Sequence, residues 1–277
     1  MTGFIREGWG IMRSALETNT PMRISFWWQC MLLAATLVAL PFDRRTILGL
    51  SPWIKPLKFE VSAIIYLLTI TLMLHGVRWH RSPDGAGWFK SRRRLSWSFA
   101  VSMTIEITLI ALQSARGVRS HMNYSSPLNG LIFAVMGQLI LLNTVAAAWL
   151  LWMWCAGEVR TPAAVTWGVR LGLFMLLAGS LEGVSMVTHG GHTVGAEDGL
   201  AGLPFVNWSR GHGDLRVAHF FALHALQLMP LTGLLLSRTS LRRLAQVACL
   251  FVFAALYVGG VWWLFAQAMQ GRPVLPG

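Results

Sequence analysis

The sequence predicts an all-α, polytopic transmembrane helix bundle with about seven spans and a cytoplasmic N-terminus. Three observations carry this. Apolar residues make up 55% of the 277 and charged residues only 12%, about half the charged share of soluble domains. Mean hydropathy is +0.54. The apolar residues also gather in seven runs, most of them close to the roughly 20 residues that carry a helix across hydrocarbon. Such a composition excludes a disordered chain, a secreted disulfide scaffold and an ordinary water-soluble globule.

Residues 1–23 mix apolar side chains with Arg6, Arg13 and Arg23. They read as a cytoplasmic segment able to form an amphipathic helix on the membrane surface. The first run, 24–40, is closed by Pro41. The long region before it, with no A-x-A cleavage pattern after it, sets it apart from a signal peptide. The following runs cover 59–77, 95–114, 131–156, 168–188, 215–237 and 244–269. The expected organisation is an N-terminal segment at 1–23, a single seven-helix domain over 24–269 and a short tail at 270–277. No internal repeat is seen.

The formal net charge of +12 would point to nucleic acid in a soluble protein. Here the basic residues sit mostly in short loops beside apolar runs. There they orient helices and meet anionic lipid headgroups, so the bilayer is the expected partner and nucleic acid is not. Thirteen Lys and Arg fall on the side of the N-terminus and eight on the other. Lys90, Arg92, Arg93 and Arg94 mark the cytoplasmic side, while Arg44, Arg45, Lys55 and Lys58 oppose this assignment. Tryptophans such as Trp53, Trp79, Trp88, Trp97, Trp152, Trp167 and Trp208 cluster near span ends, as in an interfacial belt. Cys30, Cys155 and Cys249 lie inside apolar runs without metal spacing and read as packing residues.

With this topology the polar residues separate. His75 and His80 lie at the cytoplasmic end of the second span. His121, His189, His192, His212, His219 and His224 lie on the outer side or in the outer half. The intramembrane acids are read as Glu106 and Glu182. At about 1.5 Å per residue, Glu182 sits roughly 9 Å deep, Glu106 roughly 13 Å, and His219 and His224 roughly 7 and 15 Å. Glu182 and His189, like Glu106 and Gln113, are seven residues apart and nearly eclipsed on a helix. Ser102 adjoins the Glu106 stripe, and Gln138 lies at similar depth. A single transmembrane Glu or His commonly just bonds a neighbouring helix. The concentration of six of the eight histidines with these acids on one side argues for a site. It would be framed by the third, fifth and sixth spans, under loops 113–130 and 189–215.

Three chemistries suit these residues. Haem b needs one or two axial imidazoles: His219 or His224 would face His189 or His192. Arg116, Arg119, Arg210 and Arg216 would meet the propionates, and Phe205, Phe220 and Phe221 would pack on the ring. A quinone or a periplasmic redox protein would be the partner. Alternatively, His219, His224, Glu106 and Glu182 match the ligands of Fe, Zn or Mn and would serve a metal-dependent membrane enzyme, with a glutamate as base. In the third reading there is no cofactor. Glu106 and Glu182 carry protons, Gln138 and Asn143 line a path, and the protein is a proton-coupled transporter of a small solute or metal ion. Walker, GxGxxG, HExxH and GxSxG motifs are absent, and no lysine in the seventh span offers a retinal Schiff base.

The run Gly-Asp-Leu-Arg-Val-Ala-His-Phe-Phe-Ala-Leu-His-Ala-Leu-Gln (213–227), with Gly-His-Thr-Val-Gly (191–195) and Arg-Gly-Val-Arg-Ser-His-Met-Asn (116–123), resembles a pattern in bacterial multi-pass membrane proteins of unassigned function. The resemblance implies an integral protein of a bacterial cytoplasmic membrane and carries no catalytic role.

Overall fold

The computed structural model describes residues 2–78 and 86–275, so His80 and Trp79 lie outside the described residues. The described residues form eight α-helices and four two-residue strands. Seven of the helices are long and apolar enough to cross a membrane. The chain is an all-α bundle of seven candidate spans, as the composition requires. Its contacts divide it into two compact units, Met1–Arg45 with Ser51–Arg160, and Thr46–Leu50 with Thr161–Gly277.

The first unit holds α1 (Thr2–Glu17), α2 (Thr20–Ala39), α3 (Ile54–Gly76), α4 (Ala86–Ala115) and α5 (Pro127–Ala156). Helix α1 buries Ala15 and packs against α3. It stops just before Asn19, whose buried amide donates to Ser96 Oγ at 2.9 Å, and Pro21 then opens α2 with a fixed φ. Because lipid tails are as apolar as leucine, helices here are held by packing and polar contacts. The α2–α4 seam shows this. Ser25 meets Thr104 Oγ1 at 2.8 Å, Trp28 Nε1 donates to Thr108 Oγ1 at 2.9 Å, and Gln29 donates to the Met103 carbonyl. Asn143 of α5 joins Tyr66 of α3 (2.7 Å) to Ser102 of α4 (3.0 Å). At the opposite end from Ser126, which caps α5, strand β1 (Val77–Arg78) pairs with β2 (Glu158–Val159).

The second unit holds α6 (Ala163–His189), α7 (Leu215–Ser237) and α8 (Arg243–Met269). Helices α6 and α7 touch backbone to backbone along Gly168, Gly172, Gly179 and Gly233. A Cβ on Gly168 would strike the Met229 carbonyl, and one on Gly172 would lie 3.0 Å from the Ala225 carbonyl. Such close approach is what small residues provide between membrane helices. Helix α6 ends at Gly190, in the left-handed region at φ 78°. The segment to α7 is tied by β3 (Thr193–Val194) pairing with β4 (Gly213–Asp214). Asp214 caps α7: it accepts from the amides of Ser209 and Arg216, and Arg216 Nη2 reaches it at 2.6 Å.

Several helices run past the ends of the apolar runs. Helix α3 begins at Ile54 rather than 59, and α4 at Ala86 rather than 95. The added turns carry Lys55 and Lys58, and Lys90 with Arg92–Arg94. Long basic side chains extend toward the interface while their backbone stays helical, so hydropathy alone ends a span too early.

Candidate functional site

In the first unit the Glu106 side chain is almost fully buried, at 4% exposure. Seven-residue spacing puts Gln113 two turns beyond it on one face. The 116–126 segment turns back at Met122, a non-glycine residue at φ 50°, and brings His121 against the bundle. His121 Nε2 stands 3.7 Å from Glu106 Oε1. Its Nδ1 lies 3.2 Å from Lys55 Nζ and 3.0 Å from Ser120 Oγ. An ammonium group only donates, so Nδ1 accepts and the imidazole proton resides on Nε2, toward Glu106. Phe59 and Phe133 flank the ring at centroid distances of 6.1 Å each. Burial and the neighbouring Lys55 charge hold the His121 imidazolium well below the usual histidine range, so the ring is neutral. Glu106 Oε2 is buried without a hydrogen-bond partner.

The same unit contains an acid that hydropathy assigns to the edge of a span. Glu60 is fully buried. It accepts from Thr36 Oγ1 at 2.8 Å through Oε1, while Oε2 has no partner. Gln29 Oε1 is buried and unpartnered too. Sequence reasoning leaves Lys55 outside the second run, which starts at 59, and passes over Glu60 as the run's charged edge, so the contact of Lys55 with His121 is not foreseen. The charge-rich start of α3, Lys-Pro-Leu-Lys-Phe-Glu, was the available signal. Arg116 donates to Gln113 (2.5 Å) and to Asn129 (3.0 Å), whereas Arg119 is exposed. Asn143 is buried and bonded as described above, and Gln138 lies on the exposed face of α5.

In the second unit, four candidate histidines share one property. His219 Nδ1 donates to the Gly179 carbonyl at 2.7 Å. His224 Nδ1 donates to Gln227 Oε1 at 3.3 Å. His189 Nε2 donates to the Thr193 carbonyl at 3.2 Å. His192 Nδ1 meets Asp198 Oδ1 at 3.0 Å. In its neutral form each ring so held keeps its other nitrogen as a lone pair. The His219 ring lies against Gly183, where a Cβ would be 3.3 Å from Cε1. Glu182, next to Gly183 in α6, has Oε2 buried without a partner. Phe220 packs on His224 at 4.2 Å and on Trp208 at 5.7 Å.

Of the three carboxylates in the connecting segment, Asp198 and Asp214 hold backbone amides. Asp198 also accepts from the amides of His192 and Thr193. Burial opposes its charge, but His192 and Thr193 outweigh burial and hold the carboxyl well below its usual range. Arg216 is committed to Asp214 and to the Asn207 carbonyl, while Arg210 is exposed. Phe205 is exposed and in the left-handed region. Among the described residues no three His, Cys, Asp or Glu side chains are grouped to hold a metal ion. Comparison of the chain with known protein families, with curated proteins and with solved structures finds no match in any of the three.

Proposed function

We propose that the chain is an integral membrane protein that binds a haem b or a metal ion through histidines of the second unit and uses it in redox chemistry. One observation carries this reading. His189, His192, His219 and His224 each give one ring nitrogen to a protein acceptor and keep the other free. Imidazoles that ligate metals are oriented in this way. His219 is the principal ligand, since a main-chain carbonyl within the packed α6–α7 seam holds its ring. Its partner ligand would be His189 or His192 for a haem, or His224 with Glu182 for Fe, Zn or Mn. Arg210 is free to meet a propionate. A bound haem supplies one-electron chemistry. The basic-residue asymmetry supports a site in the outer half of a bacterial cytoplasmic membrane, where a quinone or a periplasmic redox protein would exchange the electron. Glu106 is assigned to protons, because the nearby Lys55 ammonium repels a metal cation.

The test is an absorption spectrum of the purified protein, oxidised and then dithionite-reduced, with metal analysis of the same sample. A Soret band that shifts on reduction, or stoichiometric Fe or Mn, is expected; stoichiometric Zn, which has no redox chemistry, would overturn the redox part of the reading. The cofactor should be lost in His219→Ala with membrane insertion intact. Full cofactor in both His219→Ala and His224→Ala overturns the reading.

A second reading, proton-coupled transport of a small solute or metal ion, is favoured by the first unit. There Gln29, Glu60 and Glu106 each keep a buried acceptor oxygen without a partner. A preparation free of colour and metal would favour it.

A further inference from the structure

The first unit contains a chain of titratable groups, of which the cofactor reading uses only Glu106. Lys55 is half-exposed near the start of α3. Its Nζ is 3.2 Å from His121 Nδ1, and His121 Nε2 is 3.7 Å from Glu106 Oε1. The last gap exceeds a hydrogen bond, so a proton crosses it only after a side-chain movement or through a bridging water. The order is a donor at the surface, an amphoteric ring in the middle and a buried carboxyl at the end. Glu106 Oε2 has no partner, so one side of the carboxyl is open to a proton or a water.

We infer that Lys55, His121 and Glu106 form a proton relay that loads and unloads the buried Glu106 carboxyl from the 116–126 side of the unit. In the loading step the His121 Nε2–H bond breaks and an O–H bond forms on Glu106. Nδ1 takes a proton from the Lys55 ammonium, which is refilled from water. His121 ends in its other tautomer, and nothing is oxidised or reduced. The neutrality of His121 suits this role, since a ring held as imidazolium would trap the proton. Among the described residues the neighbouring polar groups have other partners. Helix α2 meets α4 through Ser25, Trp28 and Gln29. Helix α5 presents Asn129 and Phe133. Arg116 is engaged by Gln113 and Asn129, and Glu60 by Thr36. The contrast with the second unit is chemical. His219 donates to a carbonyl and keeps a lone pair for a ligand, whereas His121 accepts from an ammonium and points its N–H at an acid. The relay rests on the proton role proposed for Glu106 above and not on the cofactor.

The experiment is infrared spectroscopy of the full-length protein in lipid nanodiscs, with the Glu106 carboxyl band identified by its disappearance in Glu106→Gln. The rate at which this band shifts on transfer to D2O is then measured. His121→Leu and His121→Gln should each slow the shift at least tenfold, and Lys55→Met should slow it as well, with helix content and the band position retained. Using two His121 variants guards against misfolding of either, and both helix content and band position report it. An unchanged rate in a folded His121 variant overturns the relay. So does a wild-type carboxyl band that is absent at every pH between 5 and 9, since Glu106 would then never carry the proton.

Discussion

His219 of α7 donates from Nδ1 to the carbonyl oxygen of Gly179 of α6 across 2.7 Å. That carbonyl can be reached because Gly179 and Gly183 have no side chains to fill the space. Helix packing and the orientation of the candidate ligand are therefore one feature.

Replacing Gly179 with alanine puts a Cβ 2.8 Å from Ala222 Cβ and 3.2 Å from the Leu223 backbone. The helices must separate, at a cost of about 1–3 kcal/mol typical of overpacking. The expected result is a lower melting temperature in detergent, together with weaker cofactor retention. Gly137→Ala is the control. Its Cβ would meet nothing within 4 Å, so stability should be unchanged or rise by roughly 0.5–1 kcal/mol. Equal melting temperatures for Gly179→Ala and wild type would refute the account of the seam.

Asp214→Ala removes a helix cap and strands the half-buried Arg216 guanidinium. A loss of about 2–4 kcal/mol is expected, below the full figure for breaking a buried pair because Arg216 keeps some solvent contact. Chemical denaturation in mixed micelles measures it. The double variant Asp214→Ala with Arg216→Ala should recover part of the loss. No recovery would mean that the guanidinium was never uncompensated.

The Asp198 carboxyl is held below its usual range, chiefly against burial, by His192 and Thr193. A depressed acid stabilises the fold above its unfolded value, near 3.9, and that contribution is lost as pH falls through the lower folded value. The amides of His192 and Thr193 should therefore stay protected against hydrogen exchange at pH 5 and at pH 4, and lose protection only in stronger acid. In Asp198→Asn protection should be weaker throughout and should no longer follow this titration. A loss centred near pH 6 in the wild type would instead implicate histidine.

Composition made the seven spans legible, and the sixth matched the observed helix end to end, because Asp214 caps it and the apolar run starts directly after. The starts of α3 and α4 were not legible, since Lys and Arg within a helix read as loop to a hydropathy count. Lys55 therefore reads as part of a connection, and the pattern gives no sign of its meeting with His121. The imidazoles of 189, 192, 219 and 224 were legible as unusual residues. Their partners were not: the Gly179 and Thr193 carbonyls are main-chain groups, and no residue type marks them. Glu106 was found because it interrupts an apolar run, whereas Glu60 sits close behind Lys58 and passes as part of a charged edge.

The glycine seam of α6 and α7 also governs how this protein can vary. At Gly168, Gly172, Gly179 and Gly233 every substitution adds atoms where a backbone or a packed side chain already stands. No drift in size can be balanced by a smaller neighbour, because the neighbour is largely peptide rather than side chain. A saturation library of the second unit should therefore show four intolerant positions along α6 and α7. The exposed Leu181, Val184 and Leu235 should exchange freely with any residue that dissolves in hydrocarbon.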